Sequence, residues 1–253
     1  MENQIFFIMP LAFICELLDS SLGMGYGTTL TPLLLLFGYE PLQIVPAVLF
    51  SEFVSGITAG FFHHSLRNVN FSSKSQDTKV ALVLSSFAVV GTIMAVFLAI
   101  NLSPQILKII IGVIVVSMGI VIFVTFNRAP HFSWMKISII GVIASFNKGM
   151  SGGGYGPLVM GGQILSGIRV KNAIGITSIS EGITCLVGIT FYFFLNPGID
   201  WVLAPWLMAG AILSVPLSAH VVKRSTEKII KFAVATLVLI LGGLTVLKVI
   251  CKL

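Results

Sequence analysis

Two glycine-rich stretches, one lysine and a few carboxylates are the residues of this chain best suited to chemistry. Residues 22–32 read LGMGYGTTLTP and residues 146–157 read FNKGMSGGGYGP. Glycine tolerates positive φ and lets a ligand approach the main chain, so Gly23, Gly25, Gly27, Gly152, Gly153, Gly154 and Gly156 suit a broken backbone. A helix starting at each break would aim unpaired N–H groups and the positive end of its dipole at a common point, which suits a small anion. Thr28 or Thr29 can cap the first such helix, and Pro157 fits the first turn of the second. Lys148 would add a full positive charge, and Tyr26 and Tyr155 could add hydroxyl donors. The competing expectation is that the glycines only let helices pack closely.

Glu52 and Glu181 stand near the centres of long apolar runs, where a carboxylate costs about 2.5–3.5 kcal/mol on insertion scales. Two roles would justify that cost. One is proton coupling, with the carboxylate taking up and releasing a proton as a cavity alternates. The other is bracing, with the carboxylate accepting from N–H groups of the short helices. Ser51 and Ser180 immediately precede them but point about 100° away on a helix. Asp19 corresponds to Lys148 in the repeat described below, so the two are expected either to pair or to leave Asp19 and Glu16 solvated at a hairpin tip.

The elements that must hold these residues are membrane helices. Of the 253 residues, 56% are hydrophobic and 9% charged, against roughly 25% charged in soluble domains. Apolar stretches long enough to cross a bilayer run at about 42–64, 79–100, 104–126, 173–195, 201–220 and 229–250, each spanning about 30 Å as a helix. No soluble domain is expected. The start, MENQ, lacks the basic region and cleavage site of a secretory signal, so the apolar run at 5–18 is expected to be retained. Cys15, Cys185 and Cys251 are far apart in apolar segments and read as packing residues, not as a metal set. Nothing calls for a cofactor. The net charge of +6 is spread over short loops and reads as a topology signal, not as a nucleic-acid surface.

An offset of 129 places Gly25, Tyr26 and Gly27 on Gly154, Tyr155 and Gly156, Gly38 on Gly167, and Ser51 with Glu52 on Ser180 with Glu181. Each half therefore reads as an apolar run, a glycine break, a short run (28–37; 157–166) and three full spans. The broken pair, whether re-entrant or two short crossings, adds an even number of crossings to an odd one. The expected fold is thus an all-α integral membrane protein of two inverted-topology repeats, residues 1–128 and 129–253. Loops near 65–79, 127–136, 168–172 and 221–231 hold 11 of the 15 Lys and Arg residues, while 101–104 and 196–200 hold none. By the positive-inside rule this puts the N-terminus outside. Inverted repeats with interrupted helices point to a secondary transporter whose site lies between the halves near the midplane.

The residues GMGYGTTLTPLLLLFG in one half and SGGGYGPLVMGGQILSG with KNAIGITSISEG in the other resemble the TauE/SafE family of sulfite exporters. The resemblance covers about residues 20–250. It implies a bacterial cytoplasmic-membrane transporter, usually an exporter, of sulfite, a sulfonate or a sulfoacetate-like anion. Its partners would be that small anion, the lipid bilayer and, if the glutamates couple, protons.

Two other classes compete. Gly-Tyr-Gly occurs in potassium-channel filters, but such a filter needs carbonyl rings facing one way. Copies of opposite orientation, followed by helix N-termini that repel cations, leave an anion channel as the alternative mode of transport. GMSG at 149–152 also fits the GxSG of intramembrane serine proteases, with Ser151 as nucleophile and His220 as base. Against it, Ser151 corresponds to Leu22, and His220 lies by Lys223 and Arg224 at a basic boundary. His63 and His64 read as boundary anchors, and Arg169 and Lys171 as orientation signals.

Overall fold

A computed structural model describes residues 2–23, 25–125, 133–196, 199, 201–224 and 240. Within them the chain is helical: α1 (Glu2–Leu22), α2 (Tyr26–Leu36), α3 (Pro41–Ser65), α4 (Gln76–Asn101), α5 (Pro104–Thr125), α6 (Trp134–Ser151), α7 (Tyr155–Leu165), α8 (Val170–Leu195) and α9 (Ala204–Arg224). Four helices, α3, α4, α8 and Ala204–Val222 of α9, are long and apolar enough to cross a membrane. Phe97 and Phe194, 64% and 75% exposed, stand out from the bundle as lipid-facing side chains do. Apart from residue 240, the expected span at 229–250 lies outside the described residues, as do Cys251 and most of the basic loops near 127–136 and 221–231.

Local chemistry accounts for the helix starts. Glu40 and Gln43 form a reciprocal capping box with Pro41 at the first position of α3. Ser75 and Ser133 cap α4 and α6 by accepting from Thr78 N–H and Lys136 N–H. The breaks and turns fall on glycines with positive φ: Gly23 (63°), Gly25 (92°) and Gly38 (96°), then Gly152 (72°), Gly154 (78°) and Gly167 (80°). These pair off at the same 129-residue offset. So do α2 and α7, each 11 residues, or about 16 Å of helix and half a bilayer.

The run before the first break is longer than its apolar stretch suggested. α1 continues through Glu16 and Asp19 to Leu22, 21 residues in all, enough for about 31 Å. Glu16 is only 1% exposed, so it does not lie at a solvated tip. The polar side chains Glu16, Asp19 and Ser20 recur at helical spacing on one face, Glu16 and Ser20 buried in protein and Asp19 half-buried.

α1 packs along α9 and α6 along α4, while α3 and α8 cross at the centre. The crossing is a backbone contact: a Cβ on Gly56 would sit 2.8 Å from the Ser178 carbonyl oxygen, and one on Gly182 would sit 3.0 Å from Ile57 N. Small residues there bring the two glutamate-bearing helices close enough for their carboxylates to share one partner.

Candidate functional site

Lys148, on the last turn of α6, is fully buried. Its ammonium donates to Glu181 Oε1 at 2.7 Å and to Glu52 Oε2, joining α6 to α8 and α3. Both carboxylates are 2–3% exposed. Neither charge type would remain in this interior alone, because a single buried ion costs several kcal/mol that only a close counter-charge offsets.

Asp19 lies one helix away. Its Oδ1 accepts the Gly25 N–H at 2.6 Å, so the carboxylate occupies the positive end of α2. The expected ion pair of Asp19 with Lys148 is therefore replaced: among the described residues Lys148 pairs with the two glutamates, and Asp19 serves a glycine break. One oxygen each of Asp19, Glu52 and Glu181 lies within 4.8 Å of the others. Glu16 completes the group, its Oε1 accepting the Ser20 hydroxyl at 2.5 Å. A cavity of about 10 Å³ lies among Glu16 and Asp19 of α1, Glu52 and Ser55 of α3, and Ser178 and Glu181 of α8. That is room for about one water-sized occupant.

The two glycine breaks touch. A Cβ on Gly27 would lie 1.7 Å from the Gly152 carbonyl oxygen, and one on Gly153 would lie 2.5 Å from Thr28 N. Gly25 approaches Pro157 and Gly23 approaches Met160 in the same way, while Tyr155 and Gly156 are buried beside them. The break N–H groups have protein acceptors in this arrangement: Gly154 N–H donates to Thr28 Oγ1 at 2.7 Å, Gly153 N–H to Ser151 Oγ at 3.1 Å, and Gly25 N–H to Asp19. Thr28 does not cap its own helix as expected. The cap position of α2 is Gly25, without a side-chain bond, and the Thr28 hydroxyl serves the opposite break because the close Gly27–Gly152 contact turns it there.

That bond carries a prediction. Thr28→Val should lower the melting temperature in detergent, since a buried N–H left unpaired costs about 1–3 kcal/mol. Thr28→Ser keeps the acceptor and should melt near the wild-type temperature.

Tyr26 and Tyr155 are both fully buried. The Tyr26 hydroxyl lies 3.3 Å from Ser51 Oγ and donates to the Leu207 carbonyl at 3.4 Å, and the Tyr155 hydroxyl lies beside Ser180 and Thr184. Ser51 and Ser180 thus meet the break tyrosines and not the glutamates, as their helical angle requires. Ser151 donates to the Asn147 carbonyl at 2.8 Å, whereas His220 is exposed and bonded to the Pro216 carbonyl. The nucleophile and base of the protease alternative are not brought together.

His63 departs from the boundary-anchor expectation. It is fully buried, with Nδ1 accepting from the Asn68 side chain at 3.1 Å and Nε2 donating to the Ser20 carbonyl at 3.0 Å. It fastens the end of α3 to α1 behind Glu16. The recurring spacing of Glu16–Asp19–Ser20, Glu52–Ser55–Gly56 and Ser178–Glu181–Gly182 was the available signal for the cluster, since residues three and four apart share a helix face.

A family model described as sulfite exporter TauE/SafE matches residues 8–245. The chain belongs to the TauE/SafE family. It is also 26% identical over 252 residues to the probable membrane transporter protein YtnM of Bacillus subtilis (strain 168), covering 94% of this chain and 81% of that relative. As a TauE/SafE member it is a multi-pass membrane transporter acting on a small substrate in a lipid bilayer, consistent with the four membrane-length helices among its described residues. Cys15 and Cys185 in this TauE/SafE chain are free and buried, in keeping with packing roles.

Proposed function

We propose that this TauE/SafE chain exports a small sulfur-containing anion, sulfite or a sulfonate, across a bacterial cytoplasmic membrane by alternating access. Its two halves, residues 1–128 and 129–253, would have opposite orientation, with the N-terminus outside. The observation that carries this is the buried Lys148 beside two touching glycine breaks: a full positive charge held inside membrane helices. Helix boundaries and positive-φ glycines that recur at one offset support the two-fold plan.

The cycle follows from the bonds. With the breaks in contact, their N–H groups are spent on Thr28, Ser151 and Asp19, and Lys148 is spent on Glu52 and Glu181. An anion can bind only when the breaks part and the ammonium is released. Protonating Glu52 or Glu181 loosens its hold on Lys148, so proton uptake and anion binding at the lysine favour each other. The membrane potential acts on the net charge moved, about 2.3 kcal/mol per charge per 100 mV, so at an inside-negative potential a divalent anion leaving with one proton still has a driving force for export.

Radiolabelled sulfite flux in proteoliposomes tests this. Flux should saturate and show counterflow, as a carrier does and a channel does not. Glu52→Gln and Glu181→Gln should each flatten its pH dependence. If pH dependence survives in both variants, the glutamates are braces; if a carboxylate control is carried as well as sulfite, the substrate assignment fails.

A further inference from the structure

Four carboxyl groups, those of Glu16, Asp19, Glu52 and Glu181, line one small cavity, and Lys148 bonds two of them. We infer that the small cavity between α1, α3 and α8 is a sodium site, bound by Asp19, Glu52 and Glu181 together with the Ser55 hydroxyl. This rests on the transporter reading for its consequence, but not for its geometry.

Three carboxylate oxygens no more than 4.8 Å apart share a centre within about 2.8 Å of each, near the 2.3–2.6 Å at which oxygen donors hold a cation such as calcium. The second observation is independent of the acid cluster. Ser55 is fully buried and lines the cavity beside Glu16, and its hydroxyl oxygen makes no hydrogen bond of normal length. Glu52 Oε1 and Glu16 Oε2 on the same cavity also make none. Lys148 bonds Glu52 Oε2 and Glu181 Oε1, and its ammonium does not serve Ser55 Oγ, Glu52 Oε1 or Glu16 Oε2.

The donors are all oxygen, which selects a hard cation over a soft one. The space admits about one water-sized body, so the ion must enter bare. Magnesium, which dehydrates reluctantly, is disfavoured. The site offers four oxygen donors, from Asp19, Glu52, Glu181 and Ser55, fewer than the about 6–8 that calcium takes. Sodium meets these conditions. Once bound, it draws charge from Glu52 and Glu181 and weakens their hold on Lys148, so sodium and a transported anion should each raise the other's affinity.

Equilibrium binding of radioactive sodium to the purified full-length protein, with ionic strength held constant by choline chloride, decides the matter. Binding should saturate, and unlabelled sodium should displace the label far better than potassium or calcium. Ser55→Ala, which removes one hydroxyl, and Asp19→Asn should each weaken binding roughly tenfold or more, with melting curves confirming that both variants are folded. Absence of saturable binding, equal displacement by potassium or calcium, or a folded Ser55→Ala variant with wild-type affinity would overturn the proposal. Because this assay contains no sulfite, sodium binding without sulfite flux would sink only the substrate assignment, and sulfite flux without sodium binding only the sodium site.

Discussion

Lys148→Met should be the most damaging single substitution at the centre of this protein. Methionine fills similar space but leaves Glu52 and Glu181, 2% and 3% exposed, facing each other and Asp19 without a counter-charge. Removing one partner of a buried ion pair costs about 3–5 kcal/mol, a large part of the about 5–15 kcal/mol that holds a typical protein folded. Thermal unfolding in detergent should show a large drop in melting temperature or no recoverable folded protein. Adding Glu52→Gln and Glu181→Gln to Lys148→Met should restore much of the lost stability, because the charges that made the methionine intolerable are then gone. Sulfite flux should stay absent in the triple variant, which separates the structural role of the lysine from its proposed role in transport. A Lys148→Met protein that melts with the wild type would mean that the triad is not formed.

Gly27→Ala should come next in severity. Its Cβ would lie 1.7 Å from the Gly152 carbonyl oxygen and 2.5 Å from the carbonyl carbon. Both atoms are main chain, so no side chain can rotate away. Overpacking typically costs about 1–3 kcal/mol and occasionally more, and here α2 must move off the second break as a unit. Gly38→Ala is the control. Nothing lies within 4 Å of a Cβ there, and only the φ of 96° opposes it, at about 1–2 kcal/mol. Melting temperatures of the two variants should differ clearly, with Gly27→Ala lower. Equal values would show that the breaks do not touch.

The fold was legible wherever a local rule decides it. Hydropathy located α3, α4, α5, α8 and α9 to within a few residues, because an apolar run of that length has no other stable state in a bilayer. The positive-φ glycines fall where a glycine among long apolar runs implies a break, and Gly38 and Gly167 fall where the short helices must turn back. α1 was underestimated for a physical reason: a carboxylate in an apolar run looks like the end of a helix unless one knows that protein lies on that face.

The site was legible only in its parts list. Lys148, Glu52, Glu181 and Asp19 were each conspicuous as charges inside a membrane protein. Their pairing was not, since Lys148 is 96 residues from Glu52 and 33 from Glu181, and the corresponding positions of the two halves suggested Asp19 instead. By sequence Thr28 suits a cap for its own helix, and His63 a boundary anchor, by the same restriction to near neighbours.

By itself the sequence determined a membrane protein of helices broken twice at glycine, since transfer energies, φ preferences and caps act over a few residues. Tertiary packing alone decided which carboxylate holds which cation, which backbone N–H finds which acceptor, and where a water-sized space remains. Electrostatic attraction in a low-dielectric interior is strong but indifferent to sequence distance, so partners are chosen by the Gly56–Ser178 crossing and the Gly27–Gly152 contact that bring them together.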